Sequence, residues 1–235
     1  METKGFPFSR QSAILRNVSA LSLETDRPVR RHQLIEVAEE VFLEKGYHAA
    51  TMDDIARRAG MSKKTIYVLF ESKAALFDAL LSARLAPLAE PIPDDGRTQA
   101  AALVAFLSSV ARLVLSPRQI ALTRLMIAES PRSPDVVRAL RSQAVCNGAG
   151  PLESWLAREA ASGTLAPGDP HEAASMLFGM SIGELALRQL VKGEPMPSEA
   201  ELARRIEQSV RIFLVAHAPA QSAPERSRRR CVSTL

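Results

Sequence analysis

The feature that most restricts the fold is a pair of short helix signals placed close together in the first third of the chain. Thr51 and Asp54 have the spacing of a capping box, in which a hydroxyl and an acidic side chain satisfy each other's backbone N–H groups. Gly60 is expected to end that helix, and Ser62 can cap a second helix over residues 63–70. Two short helices joined by a tight glycine-containing turn predict a helix-turn-helix motif.

Helical patterns also lie on both sides of this motif. Before it, apolar residues recur at helical spacing from Pro28 to Gly46, where the glycine is expected to close the helix in the left-handed conformation. After it, Ser72 is expected to cap a longer helix that ends before a proline-rich stretch. The sequence therefore predicts a domain over residues 28–86 in which the first three helices form the helix-turn-helix unit, with the motif itself at about 52–71, and the longer helix follows them.

The remainder of the chain predicts further helices separated by breakers. Their expected ranges are 97–115, 118–130, 134–162, 170–192 and 198–217. The glycines and proline of residues 148–151 weaken the case for the third as one continuous helix. Aromatic residues are only 5% of the sequence, while Ala and Leu are abundant, which favours helices packed through small side chains. We therefore expect an all-α fold with a second, helical domain over residues 97–218.

The two ends of the chain lack a sustained helical period. Residues 1–27 mix Gly, Pro, Ser and charge, and we interpret them as a flexible arm or an over-extended translation start. Residues 219–235 are rich in Pro, Ser, Gln and Arg, which predicts a disordered basic tail. Because this tail supplies much of the formal net charge of +4, the net charge alone does not identify a nucleic-acid partner.

The second short helix is expected to have a core face and an outward face. The residues spaced to face the core are Ile66, Leu69 and Phe70. Lys64 and Val68 lie opposite them, where a lysine can donate to guanine and a valine can pack on a thymine methyl group in a major groove. Lys63, Thr65 and Tyr67 flank this face and are expected to reach phosphates.

Basic side chains concentrate around the same helix. Between Arg57 and Lys73 the sole acidic residue is Glu71, and such a basic cluster neutralises phosphates and releases counterions. Lys73 begins the next helix, whose outward N–H groups suit a phosphate. A basic run can equally be a solvated face, but its coincidence with two capped helices and a glycine turn favours DNA.

The stretch RHQLIEVAEEVFLEKGYHAATMDDIARRAGMSKKTIYVLFESKAALFDALL resembles the N-terminal domain of TetR-family transcriptional regulators. The matching elements are the apolar positions, the Gly-Tyr pair, and the segments TMDDIARRAG, TIYVLF and SKAALF. The resemblance implies a regulator that binds a double-stranded DNA operator. The expected DNA-contacting residues are Thr51, Met52, Ser62, Lys63, Lys64, Thr65, Tyr67, Val68 and Lys73. Many relatives carry glycine where Lys64 stands, so base contacts are expected to differ here.

The segments RLMIAESPRSPDVVRAL and GPLESWLAREAASGTL resemble C-terminal domains of the AefR-like subgroup. The resemblance implies that residues from about 97 onward form a dimerisation and effector-binding domain. Apolar stripes on the helices at about 170–192 and 198–217 predict a homodimer joined as a four-helix bundle, with Gly179 and Gly183 allowing close approach. The alternative is that both stripes are core within one chain.

An unidentified small-molecule effector is expected among the C-terminal helices. The expected lining residues are Phe106, Leu122, Met126, Trp155, Met176 and Met180. Arg124, Glu129 or Glu184 could orient a polar group of the ligand. The same apolar side chains would also suit an ordinary core.

No catalytic signature accompanies these features. The histidines, which lie apart from nucleophiles and paired carboxylates, are His32, His48, His171 and His217. Cys146 and Cys231 are too few for a disulfide framework and have no metal-ligand spacing, so reduced thiols are expected, with redox sensing by Cys146 left open. We expect no enzyme activity, no cofactor and no metal.

The expected function is therefore that of a repressor released from a palindromic operator by a small molecule. An activator, or an architectural DNA-binding protein that no ligand controls, would share the same DNA-binding motif and stays an alternative. The sequence has neither a signal-peptide pattern nor the roughly twenty consecutive apolar residues of a membrane span, so a cytoplasmic protein without a membrane partner is expected.

Overall fold

The computed structural model describes the backbone of residues 9–142, 150–191 and 196–219, with side chains described from residue 27 onward. Throughout these ranges the secondary structure is helical and no β-strand is present, which confirms the all-α prediction. The predictions for Cys146, for Cys231 and for the basic tail from residue 220 onward lie outside the described residues.

The helices follow one another with short connections. In chain order they are α1 (Ser9–Lys45), α2 (Met52–Ala59), α3 (Lys63–Leu69), α4 (Lys73–Leu85), α5 (Gln99–Val114), α6 (Pro117–Glu129), α7 (Pro134–Ser142), α8 (Pro151–Ser162), α9 (Pro170–Phe178), α10 (Glu184–Leu190) and α11 (Glu199–Ala216). A 3₁₀ turn, Ala86–Ala89, follows α4, and a π-helical turn, Gly179–Gly183, joins α9 to α10.

The caps that bound α2, α3 and α4 are those predicted from the sequence. The Asp54 N–H donates to the Thr51 hydroxyl oxygen, and the Thr51 N–H donates to the Asp54 carboxylate, both at 3.1 Å. Gly60 ends α2 with a left-handed φ of 63°. Ser62 and Ser72 cap α3 and α4 with their side-chain oxygens. Because these caps fix both ends of α2, they also fix where α3 begins.

Helix α1 begins earlier than the sequence pattern predicts. The backbone is helical from Ser9 through Pro28 to Lys45, whereas the pattern predicts a start at Pro28 and a flexible arm over residues 1–27. Proline removes one N–H donor and commonly marks a boundary. Here the preceding segment AILRNVSALSLE supplies Ala, Leu and Arg, which have high helix propensity, so the helix continues through the proline.

Two of the predicted C-terminal helices are divided. In place of one helix over 134–162, α7 ends at Ser142 and α8 begins at Pro151, with Gly150 as its N-cap, a position where proline loses no helical hydrogen bond. In place of one helix over 170–192, the π-helical turn separates α9 from α10. The remaining ranges agree with the prediction to within two residues.

The chain divides into two compact units, and the division differs from the predicted one. The first unit comprises residues 1–86 and 121–143, and the second comprises residues 87–120 and 144–235. The described core of the first unit therefore includes Leu122 and Met126 of α6 and Val136 of α7. The sequence boundary at residue 97 assigns these helices to the second domain because it follows chain order, whereas apolar packing joins them to the helix-turn-helix.

The second unit is built mainly from α5, α8, α9 and α11. Its buried side chains include Leu103, Leu107, Leu156, Leu177, Ile206 and Phe213. In the described residues no single helix is long and apolar enough to cross a membrane, and α5 and α6 meet that test of length and composition only when taken together.

Candidate nucleic-acid interface

Helix α3 has the two faces that its sequence predicts. Ile66 is fully buried, and Leu69 and Phe70 are also buried, so this side of the helix packs on the core. Tyr67 is 45% exposed and Val68 is 62% exposed. Burial of the apolar triad thus fixes the rotation of α3 and turns its other face outward.

Most of the basic side chains near α3 already have acidic partners. The Lys63 ammonium lies 2.9 Å from the Asp53 carboxylate, which raises the pKa of Lys63. Arg57 lies 3.7 Å from Asp54, and Arg58 pairs with Glu44. The Lys63–Asp53 and Arg58–Glu44 pairs are exposed, and so is the Arg57 side chain, so DNA phosphates can compete for these basic groups at small cost.

Lys64 differs from these neighbours. It is exposed on the outward face of α3, and among the described residues it forms no ion pair. Its ammonium can therefore reach a base edge or a phosphate without breaking a salt bridge in the free protein.

Lys73 is held inside the first unit. Its ammonium donates to the carbonyl oxygens of Tyr47, His48 and Ala50 at 2.8, 3.2 and 3.0 Å. These bonds use all three N–H donors of a lysine, and burial lowers the pKa of Lys73. In the free protein the Lys73 ammonium therefore holds the loop that precedes α2, and its expected contact with a phosphate in the DNA complex stays a prediction.

The remaining predicted DNA-contacting residues fall into two groups. Met52 is buried in the core, and the Thr51 hydroxyl serves the cap of α2. The residues that the structure brings together on one surface are Ser62, Lys63, Lys64, Thr65, Tyr67 and Val68. Ser62 and Thr65 also share a hydrogen bond of 2.8 Å between their hydroxyl oxygens, which orders the first turn of α3.

Arg31 positions the end of α3, a role that the sequence pattern does not reveal. Its guanidinium donates to the Leu69 carbonyl oxygen at 2.9 Å and lies 4.0 Å from the centre of the Phe70 ring. The C-terminal end of α3 is thus tied to α1. Arg31 and Leu69 are 38 positions apart, so no local sequence spacing predicts their hydrogen bond.

A second anchor joins α6 and α7 to the loop over residues 46–50. The Glu129 carboxylate accepts from the His48 N–H at 3.3 Å, and the Tyr47 hydroxyl lies 3.4 Å from the Asp135 carboxylate. Burial and the Asp135 charge raise the pKa of Tyr47. Glu129, which the sequence suggests as a ligand-orienting residue, therefore contacts the loop that precedes the helix-turn-helix.

The expected effector-lining residues do not share one cavity. Leu122 and Met126 lie in the core of the first unit. In the second unit Trp155 is buried, while Met176 and Met180 point to solvent. Phe106 lines a cleft, described below. Glu184 is paired with Arg188 and Arg205, at 2.5 and 2.6 Å.

Within the described ranges no cluster of His, Cys, Asp and Glu could hold a metal ion.

Two family models match this chain. Residues 34–80 match the model of bacterial regulatory proteins of the tetR family, and residues 101–219 match the AefR-like transcriptional repressor, C-terminal domain. The first match covers the helix-turn-helix, and the second covers about half of the chain.

Individual proteins show the same similarity. The HTH-type transcriptional activator FasR of Mycolicibacterium smegmatis is 54% identical over 55 residues, which is 23% of this chain and 25% of that protein. The HTH-type transcriptional regulator SrpR of Pseudomonas putida is 39% identical over 83 residues, which is 34% of this chain and 39% of that protein. The chain thus matches well under half the length of these curated relatives.

Solved structures match over a larger share. The flavonoid-responsive regulator FrrA is 30% identical, with a TM-score of 0.70, over 83% of this chain and 100% of that one. A TetR-family transcriptional regulator from Mesorhizobium loti is 26% identical, with a TM-score of 0.66, over 82% of this chain and 98% of that one.

Proposed function

The chain belongs to the TetR family of bacterial transcriptional regulators, and from that premise we propose that it is a repressor released from a palindromic operator by a small molecule. The observation that carries the DNA-binding part is the outward face of α3, where Lys64, without an ion pair in the described part of the chain, stands beside the exposed Tyr67 and Val68. A helix presented in this way suits the major groove of DNA.

We divide the residues of this face into those that contact base edges and those that contact phosphates. Lys64 and Val68 project furthest from the core face, so we assign them to base edges. The neighbouring Lys63, Thr65 and Tyr67, with Ser62 at the cap, are assigned to the flanking phosphates. Phosphate contacts hold the helix in register, whereas base contacts carry the sequence preference.

Repression is favoured over activation by the location of the matches. The match to the activator FasR spans only 55 residues, 23% of this chain. Residues 101–219, which lie outside the helix-turn-helix, match a domain described as that of a transcriptional repressor. A shared DNA-binding motif does not decide the direction of regulation, so the C-terminal match carries more weight. An activator or a ligand-independent architectural protein is the second candidate.

The exposed apolar side chains of the C-terminal helices support a homodimer as part of the proposal. Leu187 and Val191 are exposed at α10, and Ile212 and Val215 are exposed on α11. Apolar surface of this kind marks an interaction site, and TetR-family regulators bind operators as dimers. Two α3 helices related by two-fold symmetry would read the two halves of a palindrome. We propose a cytoplasmic location as well, because the operator lies there.

A small-molecule effector is supported by the similarity to FrrA, a regulator described as flavonoid-responsive, which this chain matches over 83% of its length. The effector would bind one conformation of the dimer more tightly than the DNA-bound one, and would weaken operator binding by that difference.

The deciding experiment is selection of bound duplexes from a random library at two salt concentrations. Recovery of a palindrome would support a dimeric, sequence-specific regulator. Recovery of no motif, with binding that only falls with salt, would favour the architectural role. Transcription from the selected site, with and without the protein, then separates repression from activation.

A further inference from the structure

A cleft of about 270 Å³ opens in the second unit beside α5, α8 and α9. Its apolar wall includes Leu88, Phe106, Val110, Leu152, Ala174 and Phe178. The volume is close to the lower end of the range for small-molecule sites, and the lining is almost wholly apolar with few polar groups, which is typical of such sites.

The polar side chains that line the cleft are Glu153, His171 and Ser175. The His171 Nδ1 atom lies 3.2 Å from the Glu153 Oε2 atom, and the Glu153 side chain is only 28% exposed. A carboxylate has about four lone-pair positions, so this contact leaves Glu153 able to accept further hydrogen bonds. A half-buried acceptor beside apolar walls selects a ligand that carries a donor.

We propose that this cleft binds the effector, and that the effector is an uncharged aromatic molecule with a hydroxyl donor and no carboxylate. This inference rests on the proposed function. The rings of Phe106 and Phe178 offer aromatic walls to a flat ligand, and its hydroxyl donates to Glu153. A ligand carboxylate would be repelled by Glu153, which already supplies negative charge in the first turn of α8.

One wall of the cleft belongs to the chain segment that directly follows α4. Leu88 forms part of its wall and is buried, three positions after α4 ends at Leu85. The same segment is anchored at Ile92, which is buried and whose carbonyl oxygen accepts from Arg158 at 3.4 Å. A ligand that displaces Leu88 therefore acts directly on the segment into which α4 continues.

Trp155 provides the measurement. It is the single tryptophan of the chain, it is buried, and it lies two positions after Glu153 on α8. Full-length protein without DNA is titrated with a hydroxyflavone, its methyl ether and a flavone carboxylate, followed by Trp155 fluorescence and by calorimetry. We expect the hydroxyflavone to bind about tenfold more tightly than the ether, because the ether cannot donate, and the carboxylate to bind more weakly still.

Three variants test the location of the site. E153Q should weaken hydroxyflavone binding by about tenfold, because a charged acceptor becomes neutral. A174F should fill the cleft and abolish binding of both the hydroxyflavone and its ether. E172Q, an exposed position beside His171 that does not line the cleft, should bind as the wild type does. Circular dichroism confirms that each variant is folded.

The outcomes separate this inference from the proposed function. Equal binding of the three probes, no binding of the hydroxyflavone, or wild-type binding by E153Q would overturn the assignment. If the hydroxyflavone binds as expected but leaves operator affinity unchanged, the assignment of the cleft stands and the proposed release from DNA fails. If it releases DNA equally from the wild type and from A174F, release stands and the cleft assignment fails.

Discussion

The Lys73 ammonium donates to the Tyr47 carbonyl oxygen at 2.8 Å and lies 4.5 Å from the centre of the Tyr47 ring. The other two N–H groups of the ammonium donate to the carbonyl oxygens of His48 and Ala50. One side chain at the start of α4 thus satisfies three backbone acceptors in the connection between α1 and α2.

Replacement of Lys73 by methionine should lower the free energy of unfolding by about 1–3 kcal/mol, because part-buried carbonyl groups lose their donor. Lys64→Met is the matched control and should change stability by less than about 0.5 kcal/mol, since Lys64 is exposed. Urea unfolding measures both. The expected phosphate contact of Lys73 predicts in addition that its loss reduces the salt dependence of operator binding by about one ion. An unchanged salt dependence would leave Lys73 with the structural role alone.

Gly46 should tolerate alanine less well than Gly60. Both have a left-handed backbone, with φ of 84° and 63°, so both substitutions carry a backbone cost of about 1–2 kcal/mol. A Cβ atom at Gly46 would also lie 2.6 Å from a Glu129 carboxylate oxygen, whereas one at Gly60 meets no atom within 4 Å. Moving Glu129 away sacrifices its bond to His48. Thermal unfolding should therefore show a larger loss for Gly46→Ala, and equal losses would contradict the contact.

The contrast between these glycines shows what local sequence can and cannot predict. The left-handed turns and the Thr51–Asp54 capping box depend on residues within four positions of one another, so the spacing alone predicts them. Glu129 and Lys73, by contrast, contact the loop over residues 46–50 from distant parts of the chain. Glu129 is 81 positions from His48, and Lys73 is 25 positions from it. No periodicity encodes such pairs.

The candidate site follows the same rule. Burial of Ile66 fixes the outward face of α3, and that face is predictable because a helix has a known period. The effector residues are less predictable, because methionine and aromatic side chains suit a core, a cavity or a surface equally well. Met176 and Met180 point to solvent, whereas Phe106 lines the cleft, and only the packing of α5, α8 and α9 distinguishes them.

Tyr47 should make stability fall at alkaline pH. Burial and Asp135 raise its pKa in the folded state above the ordinary value of 10.0, so the neutral phenol is favoured by folding. Its contribution is fully present below the unfolded pKa and is lost as the pH rises through and above 10.0. Tyr47→Phe should remove this part of the pH dependence. Chemical unfolding at about pH 8 and about pH 11 tests this, and parallel losses in both proteins would exclude Tyr47 as the source.

Val215→Glu should dissociate the proposed homodimer. Val215 is 76% exposed on α11, and a carboxylate there would be buried without a partner if α11 pairs with a second copy. Ile127→Glu is the control, because Ile127 is an apolar residue that is 57% exposed on α6 and is not part of the proposed interface helices. Light scattering should show a monomer for Val215→Glu and a dimer for Ile127→Glu. A dimer in both cases would assign the interface to another surface.

Lys64→Ala should change which DNA sequences the protein prefers, whereas Tyr67→Ala should weaken binding to all of them. Lys64 is assigned to a base edge, so its loss should cost about 1–3 kcal/mol at the preferred base pair and much less at other base pairs. Tyr67 is assigned to a phosphate, which every sequence presents equally. Binding of both variants to the selected operator and to its single-base-pair substitutions measures the difference. If Lys64→Ala lowered affinity uniformly, Lys64 would be a phosphate contact; if neither variant changed binding, α3 would not be the helix that meets DNA.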